Sequence, residues 1–250
     1  MQTAKQKLKR AAPWLFLLLV LAGLAAVRGL AANYEIGYEI MNGDFQNYNP
    51  VRHLLAGQVP YRDFTVYLGA GELYSVGGLL LVLGNSFGRS MFATNFCTWF
   101  YFELLVLAVC LVVIGTARAV RAAALALCSV FFAYVQGANL PFAGQVNTLL
   151  SYAAANGNSA RMMRSAALTL AVLVILLGLH FWQQDTSRRL LAPAVLVPFA
   201  AGFFVPWSND MGGAAYISIA LGYGLYLIRL YRSSIGKIVV QTLRYIVTSV

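Results

Sequence analysis

The residues of this chain that can carry out acid–base chemistry are concentrated in one stretch. Only 8 of its 250 residues are Asp or Glu, and five of these lie between positions 35 and 72, namely Glu35, Glu39, Asp44, Asp63 and Glu72. A carboxylate can remove a proton from an attacking hydroxyl group, and carboxylates can hold a divalent cation such as Mg2+ or Mn2+. We therefore expect a reaction site of this protein to include the acidic stretch.

The rest of the sequence is strongly apolar. Hydrophobic residues make up 60% of the chain and charged residues 10%, and the mean hydropathy is +0.70, whereas soluble proteins average about 25% charged residues. The apolar residues occur in continuous runs, and a chain inside a bilayer must bond its backbone polar groups internally, which favours helices. The composition therefore predicts an all-α fold, a polytopic transmembrane helical bundle in contact with membrane lipids.

The net charge of +10 does not indicate a nucleic-acid-binding protein. The basic residues occur in short clusters between apolar runs, as the positive-inside bias of membrane proteins predicts, and they are not interleaved with aromatic residues along one face. The three cysteines, Cys97, Cys110 and Cys128, lie within apolar runs and predict buried thiols rather than disulfides or metal ligands.

About eight membrane spans are predicted from the apolar runs. The first follows Lys5, Lys7, Lys9 and Arg10 and is long enough to be an uncleaved helix rather than a signal peptide. We treat residues 1–250 as a single transmembrane domain and expect it to be the N-terminal membrane module of a longer chain. The predicted spans are 13–32, 66–84, 92–114, 122–137, 140–156, 165–182, 190–206 and 212–230.

The sidedness of the chain depends on whether the weakly apolar segment 140–156 crosses the membrane. If it crosses and the N-terminus is cytoplasmic, ten cationic residues face inward and six face outward; if it does not, seven face inward and nine outward. The first topology fits the positive-inside rule better, and it places Asp44 and Asp210 on the same outer side. Its six outward cations are Arg52, Arg62, Arg118, Arg121, Arg161 and Arg164.

An acidic outer loop, residues 33–65, is predicted to follow the first span and to contain a short helix. Asn49 is typical of a helix cap, Pro50 of the first helical position and Gly57 of a helix stop. These signals predict a helix over 50–56 that is too short to cross a bilayer and bears Arg52 and His53. We expect it to lie along the outer membrane surface.

The residues from Asp44 to Arg89 resemble the C-type integral membrane glycosyltransferases (GT-C), which use polyprenyl-phosphate sugars. The family has an acidic residue after the first span, then a motif that matches Leu54-Leu55-Ala56-Gly57-Gln58-Val59-Pro60-Tyr61-Arg62-Asp63-Phe64, and later one similar to Leu83-Gly84-Asn85-Ser86-Phe87-Gly88-Arg89. The chain departs from the family at Gly69-Ala70-Gly71, where a glycine–proline pair is usual. The resemblance implies transfer of a sugar to a glycan, lipid or protein acceptor on the outer face of a bacterial plasma membrane, in the cell envelope.

By this resemblance Asp44 is the candidate catalytic residue, as a general base or as a metal-coordinating carboxylate. Asp63, Asp210 and Arg62 are candidates for substrate binding, together with Arg118 and Arg121, because arginine recognises phosphate well. A divalent cation is a further expectation, with Asp44 and Asp210 as its candidate ligands. Each residue also has a structural alternative: Asp44 and Asp210 as helix caps, Asp63 as an ion-pair partner of Arg62, and the arginines as anchors in lipid headgroups.

Two other classes of protein compete with the enzyme. A transporter or lipid-linked sugar flippase predicts charged residues within the spans and broken helices in matching positions of two halves. Glu103 is the charged residue that falls well inside a predicted span, and the sequence contains no visible repeat. A non-catalytic scaffold would leave the acidic loop without a purpose. The sequence therefore favours the enzyme, with the transporter as the alternative.

Overall fold

A computed structural model describes residues 4–34, 42–114, 161–184, 191–232 and 234–249. Within these ranges the chain forms helices and no strand, in agreement with the predicted all-α class. The predicted spans 122–137 and 140–156, together with Glu35, Glu39, Arg118 and Arg121, lie outside the described residues. The described helices are α1 (Ala4–Tyr34), α2 (Asn42–Leu55), α3 (Ala70–Leu83), α4 (Phe87–Ile114), α5 (Arg161–Gln184), α6 (Leu191–Trp207), α7 (Gly212–Leu230) and α8 (Ile235–Ser249).

Two of the described helices contain segments long and apolar enough to cross a membrane, Phe87–Leu111 in α4 and Gly212–Leu230 in α7. Four helices contain shorter apolar segments, at Ala11–Val27, Ala70–Leu83, Ala167–Leu176 and Val197–Trp207. Length and apolar composition alone are weak evidence for membrane spans, because buried helices of soluble proteins share them. The total of about eight spans stays a prediction.

Helices α1 and α4 pack against each other in antiparallel orientation. Near the end of α1, a Cβ atom added to Gly29 would lie 2.9 Å from the ring of Phe92, close to the start of α4. Earlier in α1, Leu17 and Leu21 form a buried cluster with Leu107 and Cys110, near the end of α4. The C-terminal end of α1 therefore lies beside the N-terminal end of α4.

Helix α2 ends where the sequence predicted but begins earlier. Gly57 has φ +82°. The N–H of Gly57 donates a hydrogen bond to the carbonyl of Leu54 (3.0 Å), and the N–H of Gln58 donates one to the carbonyl of His53 (3.1 Å). These two bonds and the positive φ are typical of a helix that ends at a glycine. The predicted start at Asn49 is wrong, since the helix already begins at Asn42 and contains Pro50.

Packing explains the early start of α2. An internal proline costs about 3 kcal/mol because it supplies no N–H for the helix. Before this proline, the Phe45 ring stacks on Phe87 with centroids 4.6 Å apart, and the Tyr48 hydroxyl donates to Asn85 Oδ1 at 2.9 Å. These contacts with the turn between α3 and α4 support residues 42–49 as helix in spite of Pro50.

The C-terminal half of the chain forms a second group of packed helices. Arg164 and Leu176 of α5 contact Asp210 and Gly222, respectively, so that α5 and α7 run parallel. A tight turn joins α6 to α7, and α8 packs back along both helices, with the Tyr216 hydroxyl 2.8 Å from Ser249 Oγ. The shared core lies on the inner faces of α5 to α8 and comprises Leu168, Val197, Ala201, Phe204, Ala215, Ile219, Tyr223, Tyr226, Leu227 and Tyr245.

The two halves meet where the loop before α3 contacts the turn after α6. Gly69 has φ +102°, and a Cβ atom there would lie 2.5 Å from the carbonyl oxygen of Trp207. A Cβ atom at Gly71 would overlap the indole ring of Trp207. Glycine at these positions therefore lets the end of α6 approach the loop closely.

Candidate functional site

A buried arginine lies at the junction of the two halves. Arg164, in the first turn of α5, is only 3% exposed. Its Nη1 atom lies 2.7 Å from Asp210 Oδ1 and 3.5 Å from the carbonyl oxygen of Leu68. The guanidinium group thus connects α5 with the turn between α6 and α7 and with the loop before α3. A buried cation needs such partners, because removing a charge from water is costly.

Asp210 is the exposed partner of Arg164. Its side chain is 50% exposed, and Oδ1 also accepts hydrogen bonds from the Ser208 hydroxyl (2.7 Å) and the Met211 N–H (3.0 Å). Partial burial acts to raise the pKa of Asp210, but the Ser208 hydrogen bond and the charge of Arg164 outweigh it, so the pKa lies below its ordinary value of 3.8. The alternative of a helix cap does not hold, since α7 is capped at Met211 without a side-chain cap bond.

Glu72 is a site residue to which sequence reasoning assigned no role. It lies in the first turn of α3, is 3% exposed, and is close enough to Arg164 for the two charges to interact. Arg164 therefore has a buried carboxylate on one side and a half-exposed carboxylate, Asp210, on the other. The signal in the sequence was a glutamate at the edge of an otherwise apolar run.

Asn209 joins the α6–α7 turn to the first loop through backbone bonds. Its Nδ2 donates to the carbonyl oxygens of Val66 (3.1 Å) and Tyr67 (2.7 Å), and the Tyr61 hydroxyl reaches the carbonyl oxygen of Pro206 at 3.3 Å. These contacts link residues more than 140 positions apart in sequence. They bring the two polar segments that carry Asp44 and Asp210 into one region of the protein.

An open pocket of about 640 Å3 lies beside this junction, between α2 and the loop before α3. The described residues that line it are Phe45, Gln46, Asn49, Pro50, Thr65 and Tyr67. A second, much smaller gap of about 10 Å3 runs between α2 and α3 and is bordered by Gln46, Asn47 and Glu72. A gap of that size holds about one water molecule. Since Pro50 has no N–H, it cannot donate the helical hydrogen bond to the Gln46 carbonyl, and both residues border the pocket and the smaller gap.

The predicted catalytic residue, Asp44, lies in the first turn of α2, immediately before the pocket residues Phe45 and Gln46. Its side chain is outside the described part of the structure, as are Arg118 and Arg121. The roles assigned to these three residues therefore remain predictions.

Asp63 and Arg62 form a local ion pair, which is the structural alternative considered for them. Arg62 Nη2 lies 2.8 Å from Asp63 Oδ2, and the Val59 N–H donates to the same carboxylate at 2.7 Å. The hydrogen bond from Arg62, and then that from Val59, lower the pKa of Asp63, while Asp63 raises the pKa of Arg62. These contacts stabilise the turn after α2, and substrate binding by either residue remains a prediction.

A divalent cation with Asp44 and Asp210 as ligands stays a prediction. Among the described side chains there is no group of three His, Cys, Asp or Glu residues that could hold a metal ion, and the Asp44 side chain is not among them. The Asp210 carboxylate is already paired with the Arg164 guanidinium at 2.7 Å.

Other predicted residues have structural contacts. His53 lies within 2.5 Å of Gln58 Oε1 and stacks on Phe64 with ring centroids 5.2 Å apart, in keeping with a structural rather than catalytic histidine. Cys97 and Cys110 are buried thiols, as expected.

Comparisons with protein-family models, characterised proteins and solved structures gave no match to this chain. Its function must therefore be argued from its residues and their geometry.

Proposed function

We propose that this protein is an integral membrane glycosyltransferase that moves a sugar from a polyprenyl-phosphate donor to an acceptor on the outer face of a bacterial plasma membrane. The N-terminus is cytoplasmic and the chain spans the membrane several times. The sequence motif from Leu54 to Phe64 suggests the reaction, and the arrangement around Arg164 supports it.

One observation carries the proposal. Helix α2, which bears Asp44, borders an open pocket of about 640 Å3, and the loop that forms its other wall is bonded to the α6–α7 turn. Helix α2 and that turn, from two distant parts of the sequence, thus belong to one region of the fold, which supports a joint role for Asp44 and Asp210. A transfer reaction between two bound substrates needs such a pocket with polar groups at its border.

The chemistry follows from the groups available. The Asp44 carboxylate takes the proton of the acceptor hydroxyl while the hydroxyl oxygen forms a bond to the anomeric carbon of the sugar. The bond from that carbon to the phosphate oxygen breaks, and the electron pair leaves with the polyprenyl phosphate. Cationic side chains stabilise the negative charge of the leaving phosphate, a role proposed for Arg62, Arg118 and Arg121.

Arg164 acts in this scheme as a positioning residue. It is too deeply buried to meet a ligand in the open pocket, but it holds Asp210 by one carboxylate oxygen, Oδ1. The Asp210 side chain is half exposed, so its other oxygen can accept a hydrogen bond from a sugar hydroxyl. Asp63, whose carboxylate pairs with Arg62, is not among the residues that line the pocket and is a weaker candidate for the same role.

The experiment is sugar transfer in membranes supplied with lipid-linked donor. We expect Asp44→Asn to lower the transfer rate by roughly 10²–10⁴-fold, the usual effect of removing a general base, because an amide cannot accept the proton. Glu35→Gln is the matched control and should retain transfer. Undiminished transfer by a normally folded Asp44→Asn variant would remove Asp44 from the catalytic role.

A second candidate function rests on Glu103. This glutamate is 1% exposed within α4, and its Oε2 atom is buried without a hydrogen-bond partner. Ionisable groups inside spans often mark transport pathways. If the protein is a transporter or lipid-linked sugar flippase, Glu103→Gln should lose substrate movement across the membrane, and Asp44→Asn should retain it. The glycosyltransferase predicts the reverse pattern, and the two variants measured together distinguish the functions.

A further inference from the structure

The orientation of α1 and α4 constrains the path of the chain between them. The two helices are antiparallel, with Gly29 beside Phe92 and Leu17 near Leu107. If both cross the membrane, the end of α1 and the start of α4 are on the same side. The chain from residue 35 to residue 86 must then begin and end on that side, and a single crossing by α3 is not compatible with this.

The contacts of the α3–α4 turn support the same conclusion. Asn85 accepts a hydrogen bond from Tyr48, and Phe87 stacks on Phe45, so the turn lies against the first half of α2. Only a short connection, residues 35–41, joins α2 to the end of α1. The turn after α3 is therefore at the end of the molecule where the first loop begins.

Helix α3 accompanies only the first part of α4. Its 14 residues extend about 21 Å, less than the roughly 30 Å of a bilayer core. Leu73, near its start, packs in one buried cluster with Cys97 of α4, and residues 98–114 continue α4 for about 25 Å beyond this point. The portion of α4 beside α3 is also its polar portion, with Arg89, Ser90, Thr94 and Asn95.

One face of α3 is apolar and exposed. Tyr74, Leu81 and Val82 are 49%, 76% and 85% exposed, and their spacing of seven and eight residues puts them on one side of the helix. The opposite side is buried against α2 and α4 through Leu73, Val76 and Leu80. Because α3 runs antiparallel to α4, Leu81 and Val82 lie near the α3–α4 turn, about 16 Å from the start of α3.

We propose that α3 does not cross the membrane and that α2 and α3 form a helical layer on its outer side, packed against each other and against the first part of α4. This reverses the predicted sidedness of the α3–α4 turn, which places Arg89 on the same face as Asp44. The second crossing of the chain is then α4, and a phosphate-binding role for Arg118 and Arg121 on the outer face, which follows from α3 crossing, is not compatible with this topology.

Cysteine labelling of the full chain in intact cells tests the topology, in a variant whose native cysteines are replaced. Gly88→Cys reports on the turn, since Gly88 is exposed and a Cβ atom there has open space. Thr65→Cys serves as the outer marker and Lys5→Cys as the cytoplasmic marker. We expect an impermeant maleimide to label Gly88→Cys and Thr65→Cys equally, and Lys5→Cys only after permeabilisation. Labelling of Gly88→Cys that requires permeabilisation would show that α3 crosses and would overturn the proposal.

The measurement does not depend on sugar transfer, so the proposal stands or fails separately from the proposed function.

Discussion

Removal of the buried arginine should damage the fold far more than removal of its exposed partner. Arg164 is 3% exposed and faces Glu72, which is equally buried, whereas the Asp210 side chain is 50% exposed. In Arg164→Gln both the ion pair with Asp210 and the attraction between the guanidinium charge and the nearby, buried Glu72 are lost, and breaking a buried pair in this way costs about 3–5 kcal/mol. In Asp210→Asn a half-exposed partner is lost, which costs about 1 kcal/mol or less.

The difference is large enough to measure by thermal unfolding in detergent, followed by tryptophan fluorescence. A loss of 1 kcal/mol lowers the Tm of a chain of this size by about 2–4 °C. We therefore expect the Tm of Arg164→Gln to fall by about 6–20 °C and that of Asp210→Asn by about 4 °C at most. The double variant Glu72→Gln/Arg164→Gln should recover part of the loss, because the buried carboxylate is then removed too.

Two outcomes would refute this reasoning. If Asp210→Asn lowers Tm as much as Arg164→Gln does, the exposed ion pair and not the buried arginine stabilises the junction. If the effects of Glu72→Gln and Arg164→Gln simply add, the two residues are not energetically coupled. Glu72→Gln alone, which keeps the shape of the side chain, controls for packing.

Two further predictions concern the same junction. Gly69→Ala should destabilise the protein by about 1–3 kcal/mol, because φ +102° is strained for alanine and the added Cβ would meet the Trp207 carbonyl. The control Gly78→Ala, at a helical position with open space for a Cβ atom, should instead stabilise the protein by roughly 0.4–1 kcal/mol. Equal losses of Tm in the two variants would contradict the close contact between Gly69 and Trp207. Because the pKa of Asp210 is lower in the folded protein, its carboxylate stabilises the fold above pH 3.8, and this stabilisation is lost as the pH falls through the folded-state pKa. The Tm difference between the wild type and Asp210→Asn should therefore be constant from pH 5 to 7 and shrink below pH 3.8. A difference that instead grows on acidification would show that Asp210 does not stabilise the fold as an anion.

Local features of the sequence determined the helical class and some helix ends. Continuous apolar runs predict helices because the backbone must bond to itself, and Gly57 ends α2 because glycine readily adopts positive φ. These signals act over a few residues, so they can be interpreted without knowing what the segment contacts. The start of α2 could not be predicted in the same way, since stacking of Phe45 on Phe87 holds residues before Pro50 in the helix.

Which residues meet at the junction of the two halves is decided by contacts between residues far apart in sequence. Nothing local to Arg164 indicates that it lies between Glu72 and Asp210, which are 92 and 46 positions away, or that Asn209 bonds to the backbone at Val66. Hydropathy also predicted α3 as a span because an apolar run has the same composition whether it faces lipid, protein or both. Its neighbours distinguish these cases: the antiparallel packing of α1 on α4 decides on which side α3 begins and ends, because two adjacent antiparallel helices bring their connected ends to the same face.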